Sequence, residues 1–130
     1  MTTRFLLDTH VVIEWLSAPE RLSLYQRVAL REAERQAETV ALSACTLVEI
    51  AMLIQTRKIT GIDWIIEELE TNPLFRLMPI TIPIVADAGA LYLLPDPADR
   101  TIVATARVHR LRLLTSDQRI IDSQFVSVID

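Results

Sequence analysis

The sequence predicts an α/β fold, with helices packed on a mainly parallel sheet of about five strands. Three observations lead there. Short apolar runs recur along the chain and are separated by longer segments of helical spacing, the alternation that builds parallel sheets. Two of those runs end at an acid, Arg4–Leu7 in Asp8 and Leu111–Thr115 in Ser116-Asp117, as buried strands do when they emerge at a sheet edge. The 130 residues contain only two glycines, Gly61 and Gly89, and no repeat or low-complexity stretch, so residues 1–130 are expected to form one domain around one core.

Arg4–Leu7 is a first buried strand, and Val11–Leu16 is apolar enough for a short buried helix. Pro19–Glu38 is a charged helix whose expected inner stripe is Leu22, Tyr25, Val28 and Ala29. Val40–Ser43 is a second strand. Thr46 starts a helix with Leu47, Ile50, Ala51 and Ile54 at i, i+3, i+4, i+7; Val48, Met52 and Leu53 lie off that stripe, so burial on more than one side is expected. Asp63 caps a helix carrying Trp64, Ile65 and Leu69. Arg76–Ile82 is a third strand, with a short helix after it through Leu91. Pro95-Asp96-Pro97 is a rigid turn. A helix begins at Asp99 with Ile102, Val103 and Ala106 facing inward. Leu111–Thr115 and Phe125–Ile129 are the fourth and fifth strands.

Composition limits the function. No apolar run approaches the ~20 residues of a membrane span, and the first acid comes too early for a secretory leader. Cys45, the single cysteine, allows neither an internal disulfide nor a zinc cluster, and a reducing cytoplasm is the expected setting. Gly-rich phosphate loops are absent, which excludes most nucleotide-dependent enzymes. The net charge of -4 is unlike a generic basic nucleic-acid binder. The charge is uneven, however: Arg100, Arg107, Arg110, Arg112 and Arg119 fall within twenty residues that hold one acid past Arg100, Asp117. Twelve of the 13 basic residues are Arg, the side chain shaped for bidentate phosphate contact. Those arginines form either a phosphate-binding surface or a solvated helical face. With 51% hydrophobic residues and a mean hydropathy of +0.31, some surface is expected to be buried against a partner.

Four acids stand where solvated acids seldom do. Asp8 and Asp117 come directly after strands, at their carboxyl ends, and Glu49 and Asp99 fall in opening turns of helices. In an open parallel sheet, the crevice outside the strand ends is where ligands bind. Each acid also has a structural explanation. Thr46-Leu47-Val48-Glu49 fits a capping box, Asp96-Pro97-Ala98-Asp99 fits a capped helix start, and Asp117 can cap the short segment after it. Asp8, against a buried strand, needs partners for its charge. Together they say more. Two carboxylates about 4 Å apart repel by roughly 4 kcal/mol at an effective dielectric near 20, so a converging set binds protons or recruits a cation. Oxygen ligands without clustered His or Cys suit Mg²⁺ or Mn²⁺. Such an ion activates water and stabilises charge on a scissile phosphate, so the residues suggest phosphodiester hydrolysis.

The same residues make the chain resemble a PIN domain, and within that family the VapC-like toxins of toxin–antitoxin pairs. The resemblance runs through Leu6-Leu7-Asp8-Thr9-His10, Ser43-Ala44, Glu49-Ile50-Ala51, Asp96-Pro97-Ala98-Asp99-Arg100 and Leu113-Leu114-Thr115-Ser116-Asp117. The acids are spaced by about 40, 50 and 18 residues. It implies a PIN-like three-layer α/β/α sandwich and a Mg²⁺- or Mn²⁺-dependent endoribonuclease acting on RNA. It also implies a homodimer and a cognate antitoxin that covers the site. Asp8, Glu49, Asp99 and Asp117 would be the catalytic acids, with Asp8, Asp99 and Asp117 on the metal. Thr9, Thr115 and Ser116 would support them, and Asp96 is an alternative to Asp99. Asp99 is preferred because its helix continues Ile102-Val103-Ala104-Thr105-Ala106 as in the family. Arg100 would touch RNA phosphate or hold neighbouring carboxylates. His10 is expected to be buried or to support the site, and Cys45 to be a small core residue. A degenerate RNA- or protein-binding module is the alternative. A haloacid-dehalogenase-type phosphatase also has an Asp after its first strand, but needs a second Asp where His10 stands.

Overall fold

The computed structural model describes residues 2–130 and contains one sheet of five parallel strands. In chain order these are β1 (Thr3–Leu7), β2 (Thr39–Ser43), β3 (Phe75–Met78), β4 (Arg112–Leu114) and β5 (Val128–Ile129). Their spatial order is β3-β2-β1-β4-β5, so the first strand lies at the centre. Leu6 pairs with Ala41 on one side and Leu113 on the other. Seven α-helices connect the strands: α1 (Thr9–Ser17), α2 (Leu24–Arg35), α3 (Ala44–Gln55), α4 (Trp64–Thr71), α5 (Ile82–Ala90), α6 (Pro97–His109) and α7 (Gln118–Ser123).

The three layers arise from the two-residue period of a strand, which sends alternate side chains to opposite faces. Phe5, Leu7, Val40, Leu42 and Leu114 join a core with Val12 of α1, Leu30 of α2, Ile50 of α3 and Ile65 of α4. Leu6, Ala41 and Leu113 face the other way, into a core with Ile84 of α5, Ile102 and Val103 of α6 and Ile120 of α7. The predicted sandwich around a mainly parallel sheet is therefore present, and every strand pairing is parallel.

Several local expectations are corrected. The segment from Pro19 is a 3₁₀ turn, Pro19–Arg21, succeeded by α2. Ser23 caps α2, its side chain accepting from Gln26 N while the Gln26 side chain accepts from Ser23 N. That reciprocal cap sets the phase of the helix, so Gln26, Ala29, Leu30 and Ala33 are buried. Tyr25 and Val28 of the expected stripe are 72% and 51% exposed. In α3 the buried residues are Thr46 and Ile50, whereas Val48 and Met52 are 59% and 57% exposed, so the helix is covered on one side only. β3 stops at Met78, not Ile82. Pro79 has no N–H for the ladder, and Pro83 lies in the first turn of α5. In β5 only Val128 and Ile129 pair; Phe125 and Val126 pack on the core just before the strand.

The parallel sheet places the carboxyl ends of all five strands on one edge. The starts of α1, α3 and α7, which come directly after β1, β2 and β4, reach the same edge.

Candidate functional site

Asp8 is the first residue past β1, and its backbone N–H donates to the Leu114 carbonyl of β4 at 3.0 Å. Its carboxylate caps α1, with Oδ1 accepting from Thr9 N at 2.8 Å. Oδ2 accepts from the Thr115 hydroxyl at 2.7 Å. An acid only 6% exposed between two core strands needs such partners, and both its oxygens have one. Each oxygen keeps further lone-pair capacity for another ligand.

Thr115, fully buried just past β4, bridges two acids. While its hydroxyl donates to Asp8, its Oγ1 accepts from Asp117 N at 3.1 Å, which fixes the turn that presents Asp117. Asp117 caps α7, its Oδ1 accepting from Arg119 N at 2.9 Å. The neighbouring Ser116 is exposed, and its Oγ accepts from Gln26 Nε2 at 3.3 Å. Gln26 is completely buried, and the same amide nitrogen also donates to the Ile129 carbonyl at 3.2 Å. One side chain of α2 thereby joins the Asp117 loop to the last strand.

Glu49 lies in the second turn of α3. The expected capping box at Thr46 does not form: Ser43 caps the helix, its side chain accepting from Cys45 N. Glu49 Oε1 instead accepts from the Thr9 hydroxyl at 2.6 Å, and Thr9 Oγ1 lies 3.1 Å from the Thr46 hydroxyl. Capping therefore does not explain Glu49. Burial pushes its carboxyl above the ordinary range; the Thr9 hydroxyl opposes this, and Asp8 and Asp96 reinforce it.

Asp96 caps α6 by accepting from Ala98 N at 2.8 Å and is exposed. Asp99, three residues on, has a side chain only 14% exposed and stands 3.7 Å from Arg119 Nη2. Burial raises its pKa to about 6, with Asp96, Asp117 and Asp8 adding and Arg119 opposing. The Arg119 Nε is also 3.7 Å from Asp117 Oδ1, so one exposed guanidinium sits beside both acids. Arg100 is placed differently: its Nε donates to the Leu94 carbonyl, and it forms no ion pair among the described residues. Cys45 is half-buried beside these acids, and burial with their charge holds its thiol at about 11. His10 is exposed, so of its two expected placements burial does not hold, because the helix turns about 100° from inward-facing Thr9 to the next residue. It lines a crevice of about 280 Å³ with Asp8, Glu14, Ser116 and Asp117.

All four sequence-identified acids thus reach one sheet edge, with Thr9 and Thr115 holding Glu49 and Asp8. Sequence reasoning missed Gln26, Thr46 and Arg119. The Ser23-x-x-Gln26 spacing is visible as a capping box, but nothing local marks its reach to Ser116. The donor set fits a hard divalent cation, since the charged ligands at the edge are carboxylate oxygens that repel one another. Among the described residues no three His, Cys, Asp or Glu side chains are already close enough to hold an ion between them.

Comparison with known proteins agrees with this arrangement. The family model described as PIN domain matches residues 5–125. Ribonuclease VapC22 of Mycobacterium tuberculosis is 36% identical over 124 residues, covering 91% of this chain and 90% of that protein. Among solved structures, FitAcB from Neisseria gonorrhoeae superposes with a TM-score of 0.67 at 28% identity, covering 97% of this chain and 96% of that one. A toxin-antitoxin complex from Klebsiella pneumoniae gives a TM-score of 0.66 at 23% identity, covering 96% and 95%, a likeness of fold.

Proposed function

This chain belongs to the PIN domain family, and from that premise we infer that it is a ribonuclease, the toxin of a toxin–antitoxin pair, hydrolysing RNA with Mg²⁺ or Mn²⁺. The observation that carries the reading is the convergence of Asp8, Glu49, Asp99 and Asp117 on one edge, from two strand ends and two helix starts. The 36% identity to a ribonuclease over nearly the whole chain supports the substrate class.

Asp8, Asp99 and Asp117 would hold the ion, which supplies Lewis-acid stabilisation of the scissile phosphate and a more acidic water. The chain's own residues do the rest. Thr115 ties the Asp8 carboxylate to the Asp117 backbone, which would limit the rearrangement these two acids need to engage a cation. Glu49, oriented by Thr9, would accept a proton from an attacking water. Asp99, whose proton is lost near pH 6, needs a positive partner to stay ionised at low cost. Arg119 provides part of that charge and is exposed enough to turn towards a substrate phosphate.

Uncovered apolar surface points to the partners. Val48 and Met52 on α3 and Trp64 at the start of α4 are exposed, next to a groove of about 310 Å³ lined by Leu47, Ile66, Leu69, Phe75 and Leu77. We assign this face to the antitoxin. Ile80, Ile82 and Val85, with Ile82 85% exposed, form a separate apolar area suited to a second copy of the chain. No described helix is long and apolar enough to cross a membrane.

The test is cleavage of total RNA by purified protein with Mg²⁺ or Mn²⁺ and with chelator. Cleavage that requires the ion and vanishes in Asp8→Asn supports the reading. Absence of cleavage together with millimolar or weaker Mn²⁺ binding by calorimetry would favour a degenerate binding module.

A further inference from the structure

The five clustered arginines separate in the fold. Arg100 and Arg119 stand at the acidic edge, while Arg107, Arg110 and Arg112 gather at the opposite edge, where α6 ends and β4 begins. There they line a groove of about 530 Å³ with Phe125 and Ser127. Arg110 lies eleven residues beyond Asp99, roughly 16 Å along the helix at 1.5 Å per residue.

Charge at this groove is incompletely balanced. Arg107 is paired with Asp87 at 2.8 Å. Arg112 is held by neutral partners, its Nε donating to Ser127 Oγ at 3.3 Å and its Nη2 to the Val128 carbonyl at 3.4 Å. Arg110 has no acidic partner within 4.0 Å among the described residues. Neither Arg110 nor Arg112 has an acid within 4.0 Å among the described residues, and Arg112, which also borders a neighbouring groove with Glu32 and Asp130, is already oriented. The dipole of α6 accounts for cations in its last turn, but not for Arg112, which begins a strand. Aromatic surface adjoins the groove. The Phe125 ring is 5.9 Å from the Arg107 guanidinium and edge-on to Tyr92, which is 75% exposed. Arginines for phosphates beside an exposed ring for a base are what single-stranded nucleic acid recognises.

We propose that this groove is a second RNA site, gripping the phosphate backbone away from the scissile bond. The proposal rests on the ribonuclease reading and explains how an acidic protein holds a polyanion. The catalytic edge sets Asp8, Glu14, Glu49, Asp96, Asp99 and Asp117 against only Arg100 and Arg119, so further attraction is needed from elsewhere on the surface.

The test is equilibrium binding of a long single-stranded RNA to chelator-treated protein across a salt series, so that the metal-stripped acidic edge repels RNA and the groove dominates. Arg110→Ala/Arg112→Ala is expected to weaken binding at least tenfold at low salt. It should also flatten the log–log salt slope by about 1.4, at about 0.7 per lost phosphate contact. Arg110→Lys/Arg112→Lys should keep most of the slope. Should the alanine pair lose its folded circular dichroism, Arg110→Glu, whose exposed side chain makes no hydrogen bond among the described residues, replaces it and is expected to weaken binding at least as much as Arg110→Ala. Affinity and slope that are unchanged in a folded variant overturn the proposal. Cleavage assays of the same proteins with Mg²⁺ separate the two readings. RNA cleavage that ignores the arginine pair refutes the groove alone, and arginine-dependent binding without any cleavage refutes the ribonuclease alone.

Discussion

Replacing Asp99 by Asn should stabilise the metal-free protein at neutral pH. In the fold the Asp99 pKa rises from 3.8 to about 6, because burial and the neighbouring Asp96, Asp117 and Asp8 all disfavour its charge. A shift of roughly two units corresponds to about 3 kcal/mol at 1.36 kcal/mol per unit. Solvent screening at the open side of the crevice reduces this to ~1–2 kcal/mol. Proton linkage fixes the sign. Between the unfolded and folded values the native state holds a proton that the unfolded chain has lost, so stability falls as pH rises through that window. The cost is absent below about pH 4 and fully present above about pH 6. Thermal unfolding of metal-stripped protein, monitored by circular dichroism at pH 4, 5, 6 and 7, reads it directly. At pH 7 the midpoint of Asp99→Asn should exceed that of the wild type by about 3–8 °C for a domain of this size, and the gap should close towards pH 4. Mn²⁺ should then raise the wild-type midpoint more than the variant's. An Asp99→Asn midpoint equal to or below the wild type at pH 7, or a gap that ignores pH, would refute the account of Asp99 as a destabilised carboxylate.

Three further outcomes are expected. Thr115→Val removes the donor to Asp8 and the acceptor for Asp117 N, so it should cost about 1–3 kcal/mol in denaturant unfolding and weaken Mn²⁺ binding by about 10–100-fold in calorimetry. Gln26→Leu leaves the Ser23 N–H without its partner and removes one of two donors to the Ile129 carbonyl, which keeps Thr115 N; a loss of about 1–3 kcal/mol is expected in the same unfolding measurement, with reduced cleavage because Ser116 is released. Glu38→Gln breaks the bidentate contact between buried Glu38 and partly exposed Arg4 (Nη2 to Oε1 at 2.6 Å), which holds the Glu38 carboxyl below its ordinary 4.5. Its folded value is depressed, so its stabilisation is present above about pH 4.5 and is lost as pH falls through the folded value. The wild type should therefore exceed the variant in thermal midpoint at pH 7 and lose that advantage on acidification.

Much of the fold is legible in the residues because each strand is a short apolar run ending at a polar residue or turn. The sheet edge is legible for the same reason: Asp8 comes directly after β1, and Asp117 three residues after β4. The phase of α2 cannot be read from its apolar residues, because a polar residue, Gln26, occupies the innermost position. It does so with its amide nitrogen bonded to residues about a hundred positions away. The ends of β3 and β5 read too long because Ile80 and Phe125 belong to the apolar pattern but not to the ladder. Glu49 is ambiguous in sequence because Thr46 and Ser43 are both acceptable caps; the outcome depends on where β2 stops, which its pairing with β3 decides. The rivalry between Asp96 and Asp99 is sharpened by exposure: Asp96 is used as an exposed cap, and Asp99 points towards Arg119 and Asp117. The arginine cluster is legible only as composition. Its division between two edges comes from α6 spanning the sheet.

The central claim is that Asp8 and its neighbouring acids cut RNA with a divalent ion. The most direct measurement compares RNA cleavage by wild type and Asp8→Asn with Mg²⁺ or Mn²⁺ and with chelator, after circular dichroism has shown both proteins folded. Cleavage by the wild type that needs the ion, and none by Asp8→Asn, is the predicted result. Equal cleavage by a clean preparation of Asp8→Asn would contradict it.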